Sequence, residues 1–245
     1  MSNILTITKR ELTAYFTSPV AYVFIVIFLP LTSFFPFQLD GFFEMNAASL
    51  DAFFRWHPWL YMFLVPAVGM RLWSEERHQG TLELLMTLPV SPWQAIVGKF
   101  LASWLFIGIA LALTFPMVIT VNYLGDPDNG IIFSGYFGSF LLAGACLAIT
   151  SMTSSLTRNQ VIAFIISLVI CFLMILAGYE PVTAMVRNTV PNTAWLMSLV
   201  ESFSTMTHFM PFQRGVVDLR HLLFFGSVIG FSLFCTSVAL KSIRS

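Results

Sequence analysis

Among the stretches of this chain without Asp, Glu, Lys or Arg, six stand out as apolar: residues 12–39, 56–70, 100–125, 129–157, 159–179 and 222–240. A helix needs about 20 apolar residues, with a range of about 17 to 25, to cross the hydrocarbon of a bilayer. Five of the six runs reach that length. The second, 56–70, reaches it only if Arg71 snorkels at its end with its aliphatic stem along Trp73. Barrel strands would alternate apolar and polar residues over about ten positions, and none of these runs alternates. The pattern predicts an all-α membrane protein with six transmembrane helices.

Composition agrees. Charged residues make up 10% of the 245 and apolar residues 57%, with 26 Phe, where a soluble domain carries about 25% charge. So few charges cannot form the polar shell of a soluble fold, which excludes a secreted globular domain and a disordered chain. Zero net charge leaves no basic excess to meet phosphates, so nucleic acid is not an expected partner.

Charge placement orients the spans. Six crossings put Lys9, Arg10, Arg71, Arg77, Lys99, Arg158, Lys241 and Arg244 on one side, and Arg55, Arg187, Arg214 and Arg220 on the other. The richer side is expected to be cytoplasmic, with both termini on it. Lys9 and Arg10 before an apolar run resemble a signal sequence, but the run is too long for a signal core, and it reads as an uncleaved first span. Cys146, Cys171 and Cys235 all lie inside apolar runs without metal or redox spacing, so they read as small packing residues.

Absent motifs narrow the function. Gly98-Lys99 is followed by Phe100, and Trp93 stands where a phosphate loop needs its first glycine, so the chain has no P-loop of its own. No metalloprotease or serine-hydrolase motif occurs, and His57, His78, His208 and His221 are scattered, which is poor geometry for a metal. No charged residue lies in the middle of a run, where ion-coupled carriers and proton relays need one. An intramembrane enzyme is disfavoured on the same ground. Energy for any transport is expected from a partner.

Two segments are neither span nor simple loop. In residues 1–18, Leu5, Thr8, Leu12, Tyr15 and Phe16 share one helical face, with Lys9, Arg10 and Thr13 away from it. That predicts an amphipathic helix lying in the cytoplasmic interface; the alternative is a basic tail that anchors without folding. Ser18-Pro19 then reads as the start of the first span. In residues 71–99, the dense charges 75–77 end the second helix and Gly80 breaks it. Thr81 caps a new helix with Glu83 in its first turn and Leu82, Leu85, Met86 and Pro89 on one face. Ser91, Pro92 and Gln94 form a capping-box pattern that restarts the chain. The bland reading is a helical hairpin resting on lipid. The sharper one is a docking knob that receives a push from a soluble partner.

Residues 75–91, E-E-R-x-x-G-T-L-E-L-L-x-T-L-P-V-S, followed by Gly98-Lys99, resemble the permease subunits of the ABC-2 family of ABC transporters. Thr8-Lys9-Arg10-Glu11-Leu12 and Tyr15-Phe16-x-Ser18-Pro19 resemble the opening of that family. His208-Phe209, F-Q-R-G-V-V-D at 212–218 and residues 222–225 resemble its gliding-motility-type branch.

The resemblance implies one ABC-2 transmembrane domain over 1–245, comprising a connecting helix (1–18), a cytoplasmic coupling hairpin (75–92) and an external segment (180–221) before the last span. It implies a permease, an exporter by the family's habit, in the inner (cytoplasmic) membrane. Its partners would be a P-loop ABC ATPase, which holds the ATP and magnesium, and a second permease copy or a related permease. By position, Glu75, Glu76, Arg77, Gly80, Thr81, Glu83, Leu84, Leu85, Pro89, Gly98 and Lys99 would carry ATPase coupling. Tyr61, Phe63, Val65, Phe164, Leu168 and Met174 are candidate walls of a substrate path, with ordinary packing or lipid contact as the alternative for each. Pro30, Pro36, Pro66 and Pro116 are candidate kinks. The chain itself is expected to have no catalytic site, cofactor or metal. The competing reading is a membrane scaffold whose ATPase partner drives mechanical or signalling output rather than cargo.

Overall fold

The computed structural model describes residues 2–41, 49–82, 91–189, 195 and 200–242. Among these, every regular element is a helix: α1 (Ser2–Thr17), α2 (Pro19–Gln38), α3 (Asp51–Arg55), α4 (His57–Gly69), α5 (Arg71–Gln79) and α6 (Pro92–Ala112). They continue with α7 (Pro116–Leu124), α8 (Asn129–Leu156), α9 (Gln160–Leu176), α10 (Glu180–Thr189), α11 (Thr205–Gln213) and α12 (Leu219–Ser242).

Four segments among the described residues are long and apolar enough to cross a membrane: Ala21–Gln38 within α2, Pro92–Leu124 spanning α6 and α7, then α8 and α12. The other two apolar runs give shorter helices. One is α9, of 17 residues. The second run is divided, and α4 has 13 residues, about 20 Å at 1.5 Å per residue. Met70 keeps right-handed helical backbone (φ −58°, ψ −26°), so α5 follows α4 after one irregular residue. Counting uncharged residues does not reveal that interruption; the Met70 carbonyl there accepts from Ser154 of α8 at 2.8 Å and from Ser74.

The third run breaks at Leu113–Phe115, and Pro116, which has no N–H to give, starts α7. Thr114 fills the gap by donating to the Leu111 carbonyl (2.6 Å) and pairing with the Tyr136 hydroxyl (2.9 Å). Pro30, Pro36 and Pro66 lie inside helices.

The fold is built around α8, which packs against α4, α5, α6, α9, α11 and α12. Small residues make this possible: Gly138, Ser139, Ala143, Gly144, Ala145 and Ala148 are all buried. Lipid tails are as apolar as leucine, so helix association in a bilayer depends on close van der Waals approach, which small residues permit. At Gly138 a Cβ would sit 2.6 Å from the Cβ of Phe212, so α11 crosses α8 at backbone distance. Trp104 of α6 lies flat on Phe140 (4.4 Å) and donates Nε1–H to the Phe140 carbonyl at 2.8 Å. Cys146 and Cys171 are buried and unpaired within this packing.

The segment before α12 carries α10 and α11, short helices of 10 and 9 residues. In this segment Met206 is buried, Trp195 and Phe203 are exposed, and Leu196 and Leu199 lie outside the described residues.

Candidate functional site

At one end of the bundle three helices meet around Lys99. The first is α1, which packs along the start of α6. The approach is close because residue 98 is glycine: a Cβ there would lie 2.7 Å from the Ile7 Cγ2. Thr8 donates its hydroxyl to the Gly98 carbonyl at 3.2 Å. Tyr15 stacks on Phe106 (5.1 Å), and its hydroxyl pairs with Ser103 Oγ at 2.8 Å. Burial pushes the Tyr15 phenol up to about 12, so it remains a neutral hydrogen-bonding group. Leu5 is 69% exposed, whereas Thr8 is buried and Leu12, Tyr15 and Phe16 pack against the core.

The second helix is α5. Its first turn has backbone N–H groups to satisfy, and a neighbouring helix does so. Ser154 of α8 accepts from the N–H of Trp73 (3.1 Å) and of Ser74 (3.0 Å). Trp73 is fully buried and donates Nε1–H to Ser151 Oγ at 3.0 Å. Glu75 accepts from Gln160 and from Gln79, while Arg77 donates to the Ser155 carbonyl. Gly80 ends α5 in the left-handed conformation, φ +70°, which glycine adopts without strain.

The third is α6, begun by Ser91. Its side chain caps the Gln94 N–H (3.4 Å), and the Gln94 side chain accepts the Ser91 N–H (3.1 Å), completing the expected capping box with Pro92 in the first turn.

These helices bring together three charges. The Lys99 ammonium lies 2.7 Å from Glu76 Oε1 and 3.7 Å from Glu11 Oε2, and 5.4 Å over the Trp73 ring. The Lys99 side chain is 9% exposed, those of Glu11 and Glu76 about a fifth. Glu76 Oε2 is buried without a hydrogen-bond partner. Arg10 reaches Glu11 from outside at 3.5 Å.

Of the residues expected to couple to an ATPase, Glu76, Gly98 and Lys99 therefore converge on the junction of α1, α5 and α6. Glu75 and Arg77 face the turn between α8 and α9, and Gly80 and Thr81 are exposed at the end of α5. Glu83, Leu84, Leu85 and Pro89 lie outside the described residues. Glu11, Ser151 and Ser154 are the site residues that local reading missed. The available signals were an acid in a basic helix and a Ser-x-x-Ser spacing in an apolar run.

The six candidate path residues do not share one face. Tyr61 and Val65 are fully buried, with Tyr61 stacked on Phe28 at 6.0 Å, while Phe63 is 51% exposed on the other side of α4. Phe164, Leu168 and Met174 are half-buried on α9. None of the six lines either of the two large cavities, of about 880 and 760 Å³.

At the far end of the bundle, His208 Nδ1 lies 2.8 Å from His221 Nδ1, and His208 Nε2 lies 3.2 Å from the Ser202 carbonyl. The carbonyl can only accept, so His208 carries its proton on Nε2, and its Nδ1 accepts a hydrogen bond from His221 Nδ1–H. The ring stacks on Phe224 at 3.9 Å. Burial, and then the charges of His221 and Arg220, lowers the His208 pKa. Above the ordinary histidine value of about 6.5, the folded and unfolded chains both hold His208 neutral. As pH falls through that value the unfolded chain takes up the proton first, so stability declines until the lower folded pKa is passed. The melting temperature is expected to drop between pH 7.5 and 5.5 by more in the wild type than in His208→Gln. Equal drops would show that His208 contributes nothing to the pH response.

Apolar helices of membrane-crossing length around a glycine- and serine-rich central helix, with the charge gathered at the ends, define a multi-pass helical membrane protein. The chain belongs to the ABC-2 transporter family: the family model described as "ABC-2 family transporter protein" matches residues 5–238. No curated protein matches the chain.

Proposed function

We propose that the chain is the transmembrane permease subunit of an ATP-driven ABC transporter, working as an exporter and powered by a separate P-loop ATPase. In this reading residues 1–245 form one domain with six spans, the second made of α4 with α5 and the fifth of α9. Both termini are cytoplasmic, because that side has the larger share of Lys and Arg. ATP and magnesium bind the partner ATPase, and a second permease, identical or related, completes the pathway in the inner membrane.

The observation that carries the reading is the Glu11–Lys99–Glu76 cluster. It stands at the foot of the 75–92 hairpin and ties both of the hairpin's flanking helices to α1. A force on the hairpin enters α6 through the capped start at Ser91 and α5 through its end at Gly80. The ion cluster and the Gly98–Ile7 contact then oblige α1 to follow. Movement of α5 passes to α4 and, through Ser151 and Ser154, to α8. Opening follows from the second and fifth spans separating from those of the partner permease.

Deletion of residues 80–89, or Glu83→Lys, is expected to abolish copurification of the co-expressed P-loop ATPase while the melting temperature of the permease stays within a few degrees of wild type. Retained copurification by the folded deletion variant would refute docking at the hairpin. The C-terminal likeness to gliding-motility permeases favours one second reading, a scaffold with mechanical output. ATP turnover by the reconstituted complex without movement of lipid, peptide or sugar would select it.

A further inference from the structure

At the other end of the bundle residues of α3, α4, α8, α10 and α11 line an open cavity of about 760 Å³. Its size falls within the range of about 300–1,000 Å³ typical of small-ligand sites. Ile131, in the first turn of α8, lines it, and Ser154, in the last turn, belongs to the Lys99 junction. Those residues stand about 35 Å apart along a helix rising 1.5 Å per residue, so the cavity sits at the opposite bilayer surface from Lys99.

Four charged side chains line it: Asp51, Arg55, Glu180 and Arg214. All four are exposed, and the two signs face one space without closing on one another. Among the described residues only Arg55 has an ionic partner, Asp40 at 3.8 Å, which lies outside the lining. Asp51, Glu180 and Arg214 form no ion pair there. Beside Arg214, the Gln213 Nε2 is buried and donates to nothing. The rest of the wall is aromatic and soft. Trp59 meets Tyr179 edge-on at 5.4 Å, and Met206 and Met210 add flexible apolar surface. Trp56 is fixed by stacking on Phe35 at 4.7 Å and by donating Nε1–H to Asp40 at 3.0 Å.

The ligand that completes this wall carries both signs of charge, accepts a hydrogen bond beside its negative group and has apolar surface. We propose that the cavity binds the phosphoethanolamine headgroup of a phospholipid from the adjoining leaflet. The phosphate lies against Arg214 and Gln213 Nε2. The primary ammonium gives its N–H donors to Asp51 and Glu180, and the Trp59 and Tyr179 rings flank it. Trp and Tyr are the residues that settle at the level of lipid headgroups. The site is independent of the ATPase reading, because no residue of the hairpin or the Lys99 junction takes part.

The test titrates the purified full-length chain with dihexanoyl phosphatidylethanolamine by calorimetry, with the phosphatidylglycerol and phosphatidylcholine analogues and free phosphoethanolamine alongside. One saturable site is expected for the ethanolamine lipid, with Arg214→Ala weakening it about tenfold. Asp51→Asn with Glu180→Gln is expected to weaken the ethanolamine lipid by a similar factor while leaving phosphatidylglycerol binding unchanged or stronger, a reversal that misfolding cannot produce. Absence of saturable binding overturns the proposal, as do equal losses for both lipids in the carboxylate variant. Tighter binding of the choline lipid overturns the role of the carboxylates. Free phosphoethanolamine binding as well as the lipid overturns the membrane as its source.

Discussion

Lys99→Met is expected to destabilise the helical bundle by about 3 kcal/mol, the lower end of the range of about 3–5 kcal/mol for removing one partner of a buried ion pair. The lower end applies because Glu11 and Glu76 keep about a fifth of their side-chain surface in solvent. One ammonium serves two carboxylates. Without it Glu76 has no partner for either oxygen, since Oε2 already has none, and Glu11 keeps only the solvent-side Arg10. The cost comes from stranded charge rather than from the lost attraction, so a second substitution is expected to reverse it. Lys99→Met with Glu76→Gln should recover at least half of the loss, because an amide is far less costly to leave buried than a carboxylate. Thermal unfolding of the purified variants in one detergent decides the matter. A single variant that melts with the wild type, or a double variant that melts lower than the single, would show that the cluster does not hold the three helices together.

Trp73→Ala is expected to cost about 4 kcal/mol, as for other fully buried aromatic residues reduced to alanine. Three effects coincide at this residue. The indole fills the space between α5, α6 and α8 with no exposure to solvent, Nε1 is the donor to Ser151, and the ring lies beneath the Lys99 ammonium. Trp73→Phe separates them. It keeps a ring under Lys99 and most of the volume, loses the Ser151 hydrogen bond and leaves a smaller void, for an expected loss of about 1–2 kcal/mol. Trp93 supplies the comparison, being 43% exposed in the first turn of α6; Trp93→Ala should change stability by no more than about 0.5 kcal/mol. The expected order of melting temperatures is Trp93→Ala, then Trp73→Phe, then Trp73→Ala. An Ala variant at 73 as stable as the Phe variant would refute the packing role of the indole.

What was legible in the sequence was what short stretches carry by themselves. The apolar runs predict helices because twenty uncharged residues are a strong signal, and the long helices α2, α8 and α12 lie where those runs lie. The stop at Gly80 and the capping box at Ser91 and Gln94 are also local, and both are present. The pairing of Glu11 with Lys99 joins residues 88 positions apart along the chain, and no periodicity announces it. The capping of α5 by Ser154 is invisible for the same reason, since the hydroxyl that satisfies the helix start belongs to another helix. Side-chain direction was the other gap. Tyr61 and Phe63 are two positions apart on α4 and so point to different sides of a helix, a separation that selection by hydrophobicity alone ignores.

The central position of α8 bears on how the protein is made. Helices leave the synthesis machinery in chain order, and the one on which α4, α5, α6, α9, α11 and α12 converge begins only at Asn129. Until then α4 and α5 lack the helix they pack against most extensively, and the serine hydroxyls that satisfy the start of α5 have yet to be synthesised. The first half of the nascent chain would therefore be held in the bilayer mainly by the α1–α5–α6 junction and the α2–α4 packing. A chain truncated before residue 129 would never mature beyond that state, and final assembly waits until α12, whose last described residue is 242, has closed on α8.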